Sequence, residues 1–72
     1  MRMSYYPETD SLYVDLSSKT SVDSREVSPG VVLDYDEEGN LVGIDIDQAS
    51  AKLDLHELIL DRMPATVKKL TA

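Results

Sequence analysis

Residues 29–46 constrain the fold more than any other stretch of the chain. Two β-branched runs, Val31-Val32-Leu33 and Leu41-Val42-Gly43-Ile44, flank an acidic turn that closes on Gly39-Asn40. That is the pattern of a β-hairpin. Its register matters, because a one-residue slip sends every side chain to the opposite face. A three-residue turn with Gly39 as a bulge pairs Asp36 with Asn40 and sets Val42, Ile44 and Ile46 beside Val32, Asp34 and Asp36. A four-residue turn, Asp36-Glu37-Glu38-Gly39, pairs Tyr35 with Asn40. It gathers Val31, Leu33, Tyr35, Val42, Ile44 and Ile46 on one face and Asp34, Asp36, Asp45 and Asp47 on the other. We expect the second, with Gly39 in the left-handed conformation that closes such a turn.

The same logic applies upstream. Residues 2–6 and 11–16 alternate around Pro7-Glu8-Thr9-Asp10, a strong turn sequence. A four-residue turn sets Met3 against Val14 and Tyr5 against Leu12, with Arg2–Asp15 and Ser4–Tyr13 on the opposite face. Residues 17–21 form a polar connector. Residues 22–27 alternate weakly and carry Asp23, Arg25 and Glu26, as suits a short edge strand whose charge discourages stray pairing.

After Ile46 the period changes. Asp54 is placed to cap a helix, Glu57 follows three residues later, and Leu53 and Leu58 are placed as a hydrophobic staple. Leu55, Leu58, Ile59 and Met63 recur at helical spacing until Pro64. A further short helix is expected over 65–70. The expected fold class is α+β: an antiparallel β-meander of about five strands with a C-terminal helix packed on one face. The whole of 1–72 reads as a single domain, with the sheet about 2–47, the helix about 54–63 and a tail at 64–72. If the helix projects instead, its stripe becomes a contact for a partner. Leu60, off the stripe, is placed to contact a second subunit.

Size and charge narrow the function classes. A chain of 72 residues buries only about 60% of its unfolded surface on folding, so its core must be efficient or a partner must cover part of it. Without cysteine there is no disulfide and no thiolate metal site, which suits a reducing cytoplasm. The N-terminus lacks the apolar run of a signal peptide, and no stretch is long enough to span a bilayer. The expectation is a soluble cytoplasmic protein. Residues 1–50 hold Arg2, Lys19 and Arg25 against eleven Asp and Glu, or −8, while 51–72 hold four basic residues against three acidic ones, or +1. An acidic sheet repels nucleic acid and anionic lipid, and its natural complement is a basic protein partner or a cation.

Three constellations compete with plain structural readings. Residues 34–45 place Asp34, Asp36, Glu38 and Asp45 at positions one, three, five and twelve of a calcium-loop spacing, with Gly39 at six. The shorter Asp45 in place of a bidentate Glu, and flanks that read as strands, favour an acidic turn. His56 lies between Asp54 and Glu57, with Ser50 close in sequence. Residues one or two apart on a helix do not face each other, so a surface histidine is the better reading. Tyr6 and Tyr13 share the polar face of the first hairpin with Arg2, the composition of an interface anchor and equally of ordinary cross-strand packing. No catalytic residue and no cofactor is expected. A carboxylate-dependent enzyme, which requires acidic residues converging in a pocket, is the remaining alternative.

Residues 5–14, with their Tyr-Tyr-Pro-Glu-Thr-Asp-Ser-Leu-Tyr-Val order, resemble the small prokaryotic family called domain of unknown function 2283. Residues 29–36, Gly39-Asn40-Leu41-Val42-Gly43-Ile44-Asp45-Ile46 and Ala49-Ser50 extend the resemblance, which spans about residues 3–50. It implies a compact β-rich domain with no established activity and no catalytic residues to carry over. It also implies an antitoxin-like role for small acidic proteins beside toxin-like neighbours. Together these features point to a small acidic, non-enzymatic interaction module acting through a protein partner or a homodimer.

Overall fold

The structure, a computed structural model, describes residues 1–64. The short helix expected over 65–70 lies outside the described residues. Five strands form one antiparallel sheet: β1 (Arg2–Tyr6), β2 (Ser11–Asp15), β3 (Asp23–Ser28), β4 (Val31–Tyr35) and β5 (Leu41–Ile46). A single helical turn, α1 (Ala49–Lys52), follows.

The first hairpin takes the expected register, with Met3 opposite Val14, Tyr5 opposite Leu12 and Arg2 opposite Asp15. The sheet, however, is not a simple meander. Its order is β1-β2-β5-β4-β3, because the polar connector after β2 carries the chain to the far edge and β3, β4 and β5 then return as successive hairpins. This is a Greek-key arrangement. It puts β5, with Val42, Ile44 and Ile46, at the centre, and leaves the fully exposed, charged β3 at an edge.

The organising hairpin corrects the expected turn. Asp36 N–H donates to Asn40 O at 2.9 Å and Gly39 N–H to Asp36 O at 3.0 Å. The loop therefore holds three residues, with Gly39 at φ 85°, and Tyr35 pairs with Leu41 rather than Asn40. A bulge then shifts the ladder. Asp34 faces Gly43, Leu33 faces Ile44 and Val31 faces Ile46, so Val42 is the unpaired extra residue on β5. Its carbonyl accepts Leu16 N–H from the β2 side at 2.9 Å, and its side chain is only 3% exposed. The bulge lets a three-residue turn coexist with the apolar alternation that had argued against it.

The registers assign each strand residue to a face. One face carries rows such as Met3–Val14–Ile44–Leu33 and Tyr5–Leu12–Ile46–Val31. At its β3 border the Arg25 guanidinium lies 5.8 Å from the centre of the Tyr35 ring. The other face carries Arg2–Asp15–Gly43–Asp34–Ser24 and Ser4–Tyr13–Asp45–Val32–Glu26. Among the described residues the buried hydrophobic side chains are Val14, Val42 and Ala49, and no large side chain is fully buried.

The helix expected over 54–63 is not formed. The chain leaves α1 through an extended Leu53 (φ −127°, ψ 155°), and the Asp54 carboxylate accepts His56 N–H at 3.3 Å in a local turn. Isolated helices under about 12–15 residues are marginal without tertiary packing. Leu58 and Ile59 of the intended stripe are 52% and 72% exposed, so nothing anchors it. No helix over 54–63 therefore covers the sheet, and the architecture is a five-stranded antiparallel sheet with the short α1 at its end.

Candidate functional site

The polar face of the sheet is organised by an absence of side chain. Gly43 is the central residue of its row, and a Cβ there would overlap the Tyr13 hydroxyl and come within 2.7 Å of its ring carbon Cζ. The bare glycine lets the Tyr13 ring lie across β5 and reach the next strand. Its hydroxyl donates to Asp34 Oδ2 at 2.7 Å, while Ser24 Oγ donates to Asp34 Oδ1 at 2.7 Å. One chain of hydrogen bonds thus links β2, β4 and β3 over the top of β5. The bond to Asp34, with burial and the charges of Asp34, Asp15 and Asp45, pushes the Tyr13 phenol up to about 12.

Around this chain the carboxylates are poorly compensated. Asp45 stands opposite Tyr13 on one side and Val32 on the other. Burial, then the charges of Asp47 and Asp34, raise its carboxyl above the usual range. Asp47 accepts Ser11 Oγ at 3.1 Å. The ion pairs among the described residues, Lys19–Glu38 and Arg62–Asp61, lie elsewhere, and both are exposed pairs of the kind that contribute little.

A second constellation closes one end of the sheet. Asp10 sits at φ 51°, at the end of the first turn. Its carboxylate accepts Ser50 Oγ at 2.6 Å, Ser50 N–H at 3.1 Å and Tyr5 Oη at 2.7 Å, and its carbonyl accepts Ala49 N–H at 2.8 Å. Gln48, the residue before α1, makes no side-chain cap. Asp10 thus caps the helical turn from 40 residues away in sequence. Lys52 completes the clasp by donating to Pro29 O at 2.9 Å and Asp47 O at 2.7 Å.

Hydrogen bonds from Ser50 and then Tyr5 lower the Asp10 carboxyl below its ordinary 3.8. The unfolded chain therefore binds more protons in acid, so stability rises with pH through this range. The clasp should be fully formed above about pH 4 and weaken as pH falls through the lowered Asp10 value. Thermal melts between pH 2 and 6 should show a shallower acid slope for Ser50→Ala than for the parent chain. Equal slopes would mean the clasp carries none of the acid sensitivity.

The four carboxylates of the calcium-like spacing do not converge. Asp34 is held by Tyr13 and Ser24, and Glu38 lies 3.4 Å from Lys19. Asp36 folds back into its own turn and is 6% exposed. Its Oδ1 accepts Glu38 N–H at 3.0 Å and Asn40 N–H at 2.8 Å, and these bonds, that of Asn40 first, lower its carboxyl. Asp45 belongs to the far end of β5. Among the described residues no group of three or more His, Cys, Asp or Glu is arranged to hold a metal ion.

Of the interface candidates, Arg2 and Tyr6 lie on the edge strand, Tyr6 being 50% exposed. Tyr13 is half-buried and spent on Asp34. Leu60 is 39% exposed in a segment without regular structure. His56 is exposed, and Ser50 is engaged by Asp10. Two shallow depressions flank the acidic turn, one including Lys19, Asp36 and Glu38, the other Asp23, Arg25 and Tyr35. Asp45, the carboxyl with a raised pKa, lines neither. No described helix is long and apolar enough to cross a membrane. Sequence reasoning missed the Gly43–Tyr13 contact and the Asp10–Ser50 clasp. An isolated glycine inside a strand pattern was the available signal for the first; the second had none.

A family model described as "Protein of unknown function (DUF2283)" matches residues 2–50. The matched span ends on Ser50, the residue that ties the close of the sheet region to Asp10. No curated protein and no solved structure matches the chain.

Proposed function

This chain belongs to the DUF2283 family of proteins of unknown function, and on that premise we propose that it is a non-enzymatic interaction module whose acidic sheet face receives a basic protein partner. The observation that carries this reading is the cluster of carboxylates on that face, none of which is in an ion pair among the described residues. Asp15, Asp34 and Asp45 project from adjacent strands, Asp47 follows at the end of β5 beside Lys52, and Arg2 is the basic residue among the described strand residues of the face. Clustered like charge costs folding stability and is a natural complement for a basic surface, which it also steers on approach. The antitoxin-like role implied by the family resemblance is one form of such a partnership.

Asp45 separates this reading from simple solubility. Its raised carboxyl means that the ionised form is disfavoured in the fold, so Asp45→Asn should raise the thermal midpoint at pH 7. The same change should weaken the complex. Purification at low ionic strength from cells that make the protein, followed by native mass spectrometry, should find a stoichiometric basic partner that dissociates as salt rises. A chain free of any foreign protein under these conditions, or a complex indifferent to Asp45→Asn, overturns the reading.

A further inference from the structure

We propose that the apolar face of the sheet is covered by the same face of a second copy of this chain, so that two one-layer protomers form a two-layer β-sandwich. This deepens the interaction-module reading by naming the occupant of the face opposite the acidic one. A sheet with one hydrophobic face must bury it against another layer, and the chain's described residues supply none. The helix α1 has 4 residues and sits at the sheet's end. Residues 53–64 have no regular structure, and their Leu58 and Ile59 are exposed. Met3 on the edge is 48% exposed, and Leu12, Val31, Leu33, Ile44 and Ile46 are only half-buried.

Area gives the requirement its scale. The chain exposes 5935 Å², against about 4,500 Å² for a typical folded monomer of this length. That surplus of about 1,400 Å² is shared between the open residues 53–64 and the uncovered apolar face, and a standard interface draws on roughly 800 Å² per partner.

Charge selects the face and permits a second copy. The carboxylates of β2 and β5, Asp15 and Asp45, point to the polar side, as does Asp34 of β4. Two chains of net charge −7 can therefore stack their apolar faces without opposing these carboxylates, whereas stacking polar faces would oppose Asp34 and Asp45 of one copy with those of the other. Identical sheets also share one twist, the condition for aligned face-to-face packing, and a two-fold axis satisfies both faces at once.

Sedimentation of the full chain from micromolar to millimolar concentration should show a dimer. Met3→Glu, on the apolar side of the edge strand, should raise the dimer dissociation constant at least about tenfold while far-ultraviolet circular dichroism is retained. Tyr6→Glu, equally exposed on the same strand but on the opposite face, should leave it unchanged. Isotope-filtered nuclear Overhauser spectra of mixed labelled and unlabelled parent chains provide a test without mutation, with intermolecular contacts expected among Leu33, Ile44 and Ile46 methyl groups. A monomer at every concentration, equal weakening by the two variants, or intermolecular contacts confined to the β1 or β3 edges overturns the proposal. A monomer that still takes up a basic partner sinks this inference alone, and a dimer with no foreign partner sinks the acidic-face reading alone.

Discussion

Gly43→Val will destabilise the protein by roughly 1–3 kcal/mol and bring the Tyr13 phenol down from about 12 toward its ordinary 10. Any β-carbon at Gly43 occupies the space of the Tyr13 hydroxyl and ring. The ring can escape by rotating off β5, but it then gives up the 2.7 Å bond to Asp34 and leaves that carboxylate with Ser24 as its side-chain donor. Titration of phenolate absorbance, read as the difference between Gly43→Val and the same variant carrying Tyr13→Phe, isolates this residue from the other tyrosines. The pH dependence has a definite sign. Between about pH 10 and 12 the folded chain keeps a proton that the unfolded chain has lost, so stability falls as pH rises through this window. Gly43→Val should flatten that fall. A variant whose Tyr13 still titrates near 12 would show that the ring reaches Asp34 without help from the glycine.

Asp36→Ala should lower the urea midpoint more than any other single carboxylate replacement in the acidic turn. Asp36 is the buried member of that turn, at 6% exposure, and its carboxylate serves the Glu38 and Asn40 amides. Removing it leaves those amides without a protein acceptor and removes the bond network that selects the three-residue turn. Asp36→Asn, which keeps the acceptor oxygen, should recover most of the loss. Glu38→Ala, at an exposed surface pair, should change little. If Asp36→Ala and Glu38→Ala fall together, the turn is held by the strands it joins and not by its own side chain.

These two residues also mark the limit of what the chain's pattern makes legible. Alternation places Asp36 on the wet face because it counts residues and does not foresee a bulge. Val42 absorbs the extra residue, so Leu33 and Ile44 still meet on the expected face through a turn that pattern alone rejects. Gly43 carried a visible signal, but its meaning depends on Tyr13, which stands two strands from Asp34 in the finished sheet. The helical stripe after Leu53 shows the opposite failure. Its periodicity is real, yet Leu58 and Ile59 find no surface to cover, and periodicity without packing does not hold a short helix.

Local pattern suffices for the five strands, the antiparallel pairing of each hairpin, the exact partners within the first, and the division of the sheet into an apolar and an acidic face. All of these follow from neighbours within about ten residues, where alternation and turn chemistry act directly. The Greek-key order, the bulge at Val42, the loss of the helix and the Asp10–Ser50 clasp arise only in the assembled fold. Each turns on whether segments far apart in sequence meet: the strand order, the Leu16–Val42 bond and the Asp10–Ser50 clasp are made in the assembled sheet, while the helical stripe finds no surface to pack on. The hairpin at 29–46 lies on that boundary: its faces were written locally, and its turn was settled by a buried carboxylate.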